Sequence, residues 1–249
     1  YYVDAVNGSD SNNGLGPDAS HGTNKPWLTI GKLLGAAGMA SGDTAYLSPA
    51  GPFRERVTVA MTSATAETSI LGDPMNLQGF KTSGGVRVQP GPVVHTAFET
   101  NDTTTPSATG ATLILAGRDY FTFQFINFIG GKTSSGCIDA TTHVSTNCKF
   151  RDCGFFANVA STGKLVEFTS TTSGAFTLTI ERCTFFQPRL TTSTGCIHII
   201  AQLHAALEYD LVISITNNFF LYGIGASGSA VYLTTGGAGV GFPYGCSVK

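Results

Sequence analysis

Asp139, Glu167, His198 and Tyr232 are the residues of this chain whose types and spacing could do chemistry. Each sits in a short segment where a polar group lies between apolar neighbours: GCIDA at 136–140, GKLVEF at 163–168, GCIHII at 195–200 and SAVYL at 229–233. If these segments stack, the four side chains form one outward file, with an imidazole and a phenol continuing a pair of carboxylates. Two carboxyls one strand apart would lie near the ~5 Å separation used in retaining glycoside hydrolysis, with His198 as a proton carrier. Outward strand positions are polar in any case, so the plainer reading is a solvated face that contacts a glycan without cleaving it. That reading is preferred over catalysis.

Other residues invite weaker readings. Arg151 beside Glu181, and Asp152 beside Arg182, would place opposite charges on neighbouring repeats and help set their register. Cys153 and Cys183 fall at equivalent places, where either a disulfide or two free buried thiols would fit, the thiols being preferred. All six cysteines (Cys137, Cys148, Cys153, Cys183, Cys196 and Cys246) lie in the second half without a CxxC pair, so no metal cluster is expected. Asp4, Asn7, Asp10 and Asn12 form an oxygen-rich stretch in which calcium is conceivable, although the spacing is not that of an EF-hand and suits ordinary turns. The segment 201–210 interrupts the short-turn pattern, and its His204, Glu208 and Tyr209 are candidate partner contacts.

The elements that must position these residues are repeats. Segments FTFQFINF at 121–128, NCKFRDCGFF at 147–156, LTIERCTFF at 178–186 and VISITNNFF at 212–220 end on Phe128, Phe156, Phe186 and Phe220, about 30 residues apart. Alternation separates an apolar set, Cys148/Phe150, Leu178/Ile180, Ile213/Ile215 and Cys246/Val248, from a polar set, Lys149/Arg151, Thr179/Glu181, Ser214/Thr216 and Ser247/Lys249. Asn127, Asp152, Arg182 and Asn217 are expected at the bend that follows. A unit this short cannot bury its own apolar face and gains a core only by stacking on the next at ~4.8 Å. The expected fold is therefore all-β: a parallel β-helix, or solenoid. The one helix candidate, residues 29–37, places Ile30, Leu33, Leu34 and Ala37 on one face and is expected to cap the open end of the stack.

Composition agrees with this class. The 249 residues are 42% hydrophobic and only 12% charged, with 31 glycines, which suits short strands and turns better than surface helices. A net charge of −2 gives counterion release little to act on, so nucleic acid is not an expected partner. The longest apolar runs, such as 219–224, fall well short of the ~20 residues of a membrane-spanning helix. The chain opens on Tyr1 rather than Met, which predicts a processed or trimmed start, and it stops at Lys249 in mid-repeat, which predicts a longer solenoid or one completed elsewhere.

The opening carries a resemblance. YYVDAVNGSDSNNG at 1–14, PWLTIGKLL at 26–34 and SGDTAYLSPAGPFRERVTV at 41–59 resemble the amino-terminal signature of the pectate-lyase-like right-handed parallel β-helix superfamily. The close likeness covers about sixty residues, and the later coils agree with it in pattern. It implies residues 1–60 as N-terminal cap and first coil, continuous with β-helix coils over 61–249. Within it Arg54 and Glu55 match the first-coil motif and Arg56 follows, a charged turn read as structural. Members of the superfamily include polysaccharide lyases, glycoside hydrolases, epimerases and the tailspike, fibre and decoration proteins of bacteriophages, so the fold alone selects no activity. Neither the Asn-Thr-Asp, Asp-Asp and Gly-His-Gly set of polygalacturonases nor the Arg-x-Pro-x-x-Arg of pectate lyases is present.

The expectation is a non-catalytic structural or adhesive protein of a virion surface or extracellular setting, presenting a glycan-contacting face that includes Tyr232. Its partners would be a polysaccharide or other virion or surface proteins, and the resemblance adds a homotrimer as a plausible assembly. A polysaccharide lyase or glycoside hydrolase using Asp139, Glu167 and His198 is the alternative.

Overall fold

The strands form where apolar and polar residues alternate, and in-register pairing decides which of them share an interior. In a computed structural model of the chain, the residues described are 1–20, 22–62, 65–89, 96–99, 111–130, 136–141, 145–157, 164–169, 176–190, 196–201, 211–224, 230–235 and 246–248. Positions 96–99, 188–190, 201, 211, 222–224, 234–235 and 246–248 among them are described by their backbone alone. The strands make three parallel sheets. The first runs in order through Tyr2–Val3, Thr44–Leu47, Thr68–Gly72, Phe121–Gln124, Cys148–Arg151, Phe176–Glu181, Leu211–Thr216 and Cys246–Val248. The second runs from Phe53–Arg54 through Thr96–Glu99, Ile126–Ile129, Gly154–Phe156 and Thr184–Leu190 to Phe219–Ile224. The third runs from Val57–Thr58 through Leu113–Ile114, Ile138–Ala140, Val166–Thr169 and Ile197–Ala201 to Val231–Thr235. From Thr44 onward the chain visits first, second and third sheet in strict rotation, a path consistent with a β-solenoid.

The alternation predicted for the first sheet matches its pairing. Cys148 lies opposite Leu178 and Phe150 opposite Ile180, and the file continues through Ile213 and Ile215 to Cys246 and Val248. Phe150, Ile180 and Ile215 are all buried in one continuous core that extends from Val3 to Ile215. Lys149, Thr179 and Ser214 occupy the alternate, outward positions.

Two details of the predicted register are corrected. The stacked phenylalanines of the second sheet are Phe128, Phe155, Phe185 and Phe220, with successive ring centroids 5.4, 4.8 and 4.8 Å apart. Phe156 and Phe186 fall one residue later and point outward. The bend residues are Phe125, Asp152, Arg182 and Asn217, all left-handed with φ of 51–58°, whereas Asn127 pairs with Gly154 inside the strand. The cause of both corrections is that the bend sets the register. Counted from it, the inward phenylalanine is always three residues on, whatever follows. Asn and Asp tolerate this conformation, while for Phe125 and Arg182 it costs about 1–2 kcal/mol, which stacking must offset.

After the last three bends, the next residue bonds to a carbonyl of the preceding coil. Cys153 Sγ donates to Phe123 O at 3.5 Å, Cys183 Sγ to Phe150 O at 3.5 Å, and Asn218 Nδ2 to Ile180 O at 2.9 Å. The three carbonyls belong to stacked residues, so thiol and amide serve one purpose. Cys183→Ala is expected to lower stability by about 1–2 kcal/mol, because it removes a buried, packed sulfur together with its bond to the Phe150 carbonyl, and Cys183→Asn by less than half of that if the amide takes over the bond. Urea unfolding of both variants checks this, and equal losses would remove the carbonyl from the explanation.

The predicted helix over 29–37 is a single turn, Ile30–Leu33, with Thr29 Oγ1 accepting from Lys32 N–H at 3.0 Å. Gly31, Gly35 and Gly38 weaken any extension, and Met39 N–H turns back onto the Leu33 carbonyl. Ile30, Leu33 and Leu34 are buried as expected, whereas Ala37, beyond the end of the turn, is exposed. An excursion unforeseen in the sequence spans 73–89. It is held by Asn76, whose amide donates to Phe80 O and Val88 O, and it is tied to the amino-terminal segment by Lys81–Asp18 at 2.7 Å. No helix among the described residues is long and apolar enough to cross a membrane.

Candidate functional site

The third sheet assembles the predicted file. Asp139 pairs with Glu167, Glu167 with His198, and His198 with Tyr232, between the inward files of Ile138, Val166, Ile197 and Val231 and of Ala140, Phe168, Ile199 and Leu233. Strand pairing thus places four polar groups on one face at the ~4.8 Å repeat of a parallel sheet.

Within the file the groups are tied down differently. Asp139 Oδ1 accepts from the Thr141 backbone N–H at 2.9 Å and the Thr141 hydroxyl at 2.7 Å, which turns it along its own strand. Glu167 Oε1 lies 2.8 Å from His198 Nδ1 and also accepts from Lys164 Nζ. Lys164 is a site residue that the sequence reading passed over, although it stands in the quoted GKLVEF segment, three positions before Glu167. His198 is only 6% exposed despite its outward position, with the Tyr232 ring centroid 5.4 Å away and tilted by 32°.

Burial works to raise the Glu167 carboxyl, but hydrogen bonds from His198 and Lys164 outweigh it and hold the group below the usual carboxylate range. With Glu167 ionised, His198 Nδ1 is the donor in the bond between them. The arrangement therefore offers carboxylate acceptors and an imidazole, and Glu167 is not a group that keeps a proton at neutral pH.

The sign of the pH effect follows. A carboxyl with a lower pKa folded than unfolded adds stability that is complete above its unfolded value of about 4.3 and is lost as pH falls through the folded value. The stability difference between the wild type and Glu167→Gln is expected to be full above about pH 5 and to shrink below about pH 4. Denaturant titrations across that range measure it, and a difference independent of pH would contradict the pairing.

The remaining predicted residues fall elsewhere. On the outer side of the first sheet and its bend, Arg182 reaches Asp152 at 2.7 and 2.9 Å and Glu181 at 2.6 Å, while Arg151 Nε lies 3.5 Å from Glu181. Gln124 adds a bond to Asp152 at 2.9 Å, and Lys149 pairs with Glu67 at 2.5 Å. Arg182–Asp152, Arg151–Glu181 and Gln124–Asp152 bridge adjacent coils, and Lys149–Glu67 reaches across the Phe121–Gln124 strand. Glu55 binds the start of the helical turn through Ile30 N–H at 2.6 Å and Gly31 N–H at 2.8 Å, and burial pushes its carboxyl up in spite of those bonds. Arg54 and Arg56 are exposed on either side of it.

The four oxygen-bearing residues of the opening take part in local hydrogen bonds. Asp4 accepts from Val6 and Asn7, Asp10 from the Leu28 and Thr29 backbone and the Thr29 hydroxyl, and Asn12 Nδ2 donates to Pro26 O. This network folds the segment around Trp27, whose indole N–H donates to the Asn12 carbonyl at 2.7 Å. Cys153 and Cys183 are free thiols, as are Cys137, Cys148 and Cys196. Burial pushes Cys148 and Cys196 up to about 12, so neither is a reactive thiolate. His204, Glu208 and Tyr209 lie outside the described residues.

Comparison with protein-family models, curated proteins and solved structures finds no match to this chain.

Proposed function

We propose that the chain is a right-handed parallel β-helix of the pectate-lyase-like superfamily, with its helical turn belonging to an amino-terminal cap. In this reading it is a non-catalytic structural or adhesive module on the exterior of a virion or cell, of the decoration, fibre or tailspike kind. The Asp139–Glu167–His198–Tyr232 face is its glycan-contacting side. The resemblance of residues 1–59 and the rotation of the chain through three parallel sheets support the fold.

The observation that carries the non-catalytic part is the state of the ladder. Retaining and inverting glycoside hydrolysis both need one carboxyl that holds its proton, and bonds from His198 and Lys164 hold Glu167 below the usual carboxylate range in spite of its burial. Asp139 Oδ1 is bonded to the Thr141 N–H and hydroxyl. One observation favours a polysaccharide lyase or hydrolase: Glu167 orients His198 in the manner of a carboxylate that supports a general base.

Incubation of the full chain with acidic and neutral polysaccharides, followed by reducing-end and unsaturated-product assays, separates the two. The expected result is no cleavage by the wild type. Cleavage that disappears in both Asp139→Ala and Glu167→Ala would overturn the proposal in favour of the enzyme.

A further inference from the structure

The geometry points to an uncharged glycan as the ligand of the third-sheet face, in preference to a uronate or other acidic polymer; this rests on the glycan-contacting reading above. Among the described residues of the file and its flank, the cationic groups are Lys164 and, when protonated, His198. Both are engaged by the same oxygen, Glu167 Oε1. An anionic ligand would have to take one of them from Glu167 and leave a carboxylate of 23% side-chain exposure with half its pairing. Removing one partner from a part-buried ion pair is the costly direction, because the other charge stays behind.

The two carboxylates add to this. Asp139 and Glu167 stand on consecutive strands, so a polymer lying along the face meets like charge at successive rungs if it carries carboxylates of its own. Sugar hydroxyls meet the opposite situation. An ionised carboxylate accepts only, a hydroxyl can donate to it, and such charge-assisted bonds are the stronger kind. Tyr232, half-buried and packed against His198, places an aromatic ring at the end of the file, two strands beyond Glu167 and three beyond Asp139, where the apolar face of another pyranose of the same polymer can rest. Together they form an acceptor pair with an aromatic edge, which suits hydroxyl-rich, uncharged sugars.

The test uses the full chain in affinity electrophoresis and calorimetry. The neutral probes are dextran, galactomannan and mixed-linkage β-glucan, and the acidic probes are polygalacturonate and alginate. At least one neutral polymer is expected to bind about tenfold more tightly than either acidic one, with little salt dependence. Tyr232→Ala and Asp139→Asn are each expected to weaken that binding about tenfold, with thermal unfolding confirming that both variants fold. Glu167→Gln is expected to narrow the preference, because Lys164 is then released toward anions. Tighter binding of the acidic polymers would overturn this inference and leave a glycan-contacting face standing. Binding of neither class would overturn both. Neutral binding unaltered by Tyr232→Ala and Asp139→Asn would remove the ligand from this face.

Discussion

Phe150→Ala is expected to lower the unfolding free energy by about 3–5 kcal/mol, the range for emptying a fully packed aromatic site. Phe150 is fully buried and joins three files of the interior. Its ring stacks on Phe123 at 5.3 Å and meets Phe128, Phe155 and Phe168 edge-on at 6.3, 5.8 and 6.1 Å. Truncation removes apolar area and leaves a void that the rigid coils above and below cannot close. Phe156→Ala, on the outer side of the second sheet, is expected to cost less than about 1.5 kcal/mol. Urea unfolding measures both. Equal losses would mean that the interior lies elsewhere than between these sheets.

The second large effect is expected at Gly136. A Cβ there would stand 2.1 Å from the Lys164 carbonyl oxygen and 2.5 Å from that of Leu165, both backbone atoms of the next coil. Neither oxygen can move without breaking the parallel ladder, in which Leu165 O accepts from Cys137 and Ile138. Gly136→Ala should therefore cost about 3 kcal/mol, the upper part of the overpacking range. The same displacement pushes on Lys164, so the Glu167 pairing is expected to loosen with it. Gly84→Ala is the comparison, since its Cβ would meet nothing closer than Thr82 Oγ1 at 3.8 Å. A Gly136 variant as stable as the Gly84 variant would show that the coils are less tightly spaced than described.

These two positions show how much was legible in the amino-acid order. Phe150 could be placed inward because it alternates with Lys149 and Arg151, and a period of two leaves no other face for it. Gly136 gave no such signal. Its constraint comes from a backbone 28 residues away, and a glycine before a strand looks the same whether or not another coil crosses above it.

The candidate site divides similarly. The Asp139, Glu167, His198 and Tyr232 file was readable because each residue occupies one position of a recurring pattern. Which carboxylate would be restrained by which neighbour was not readable. Lys164 reaches Glu167 from the edge of the strand, and Asp139 turns instead to Thr141, choices made by side-chain reach and local backbone geometry.

Alternation and a period of about 30 residues, taken alone, determined that this chain is all-β, which residues face inward on the first and third sheets, and which polar groups share a file. Only the tertiary structure decided where each bend falls, and hence that Phe155 and not Phe156 enters the interior. It also decided that a thiol stands where another coil uses an amide, and that two neighbours hold the Glu167 carboxyl below its usual range. The physical reason is one of range. Side-chain period is a local property of the strand, whereas register, carbonyl satisfaction and charge pairing are settled between coils that lie far apart in sequence and one strand spacing apart in space.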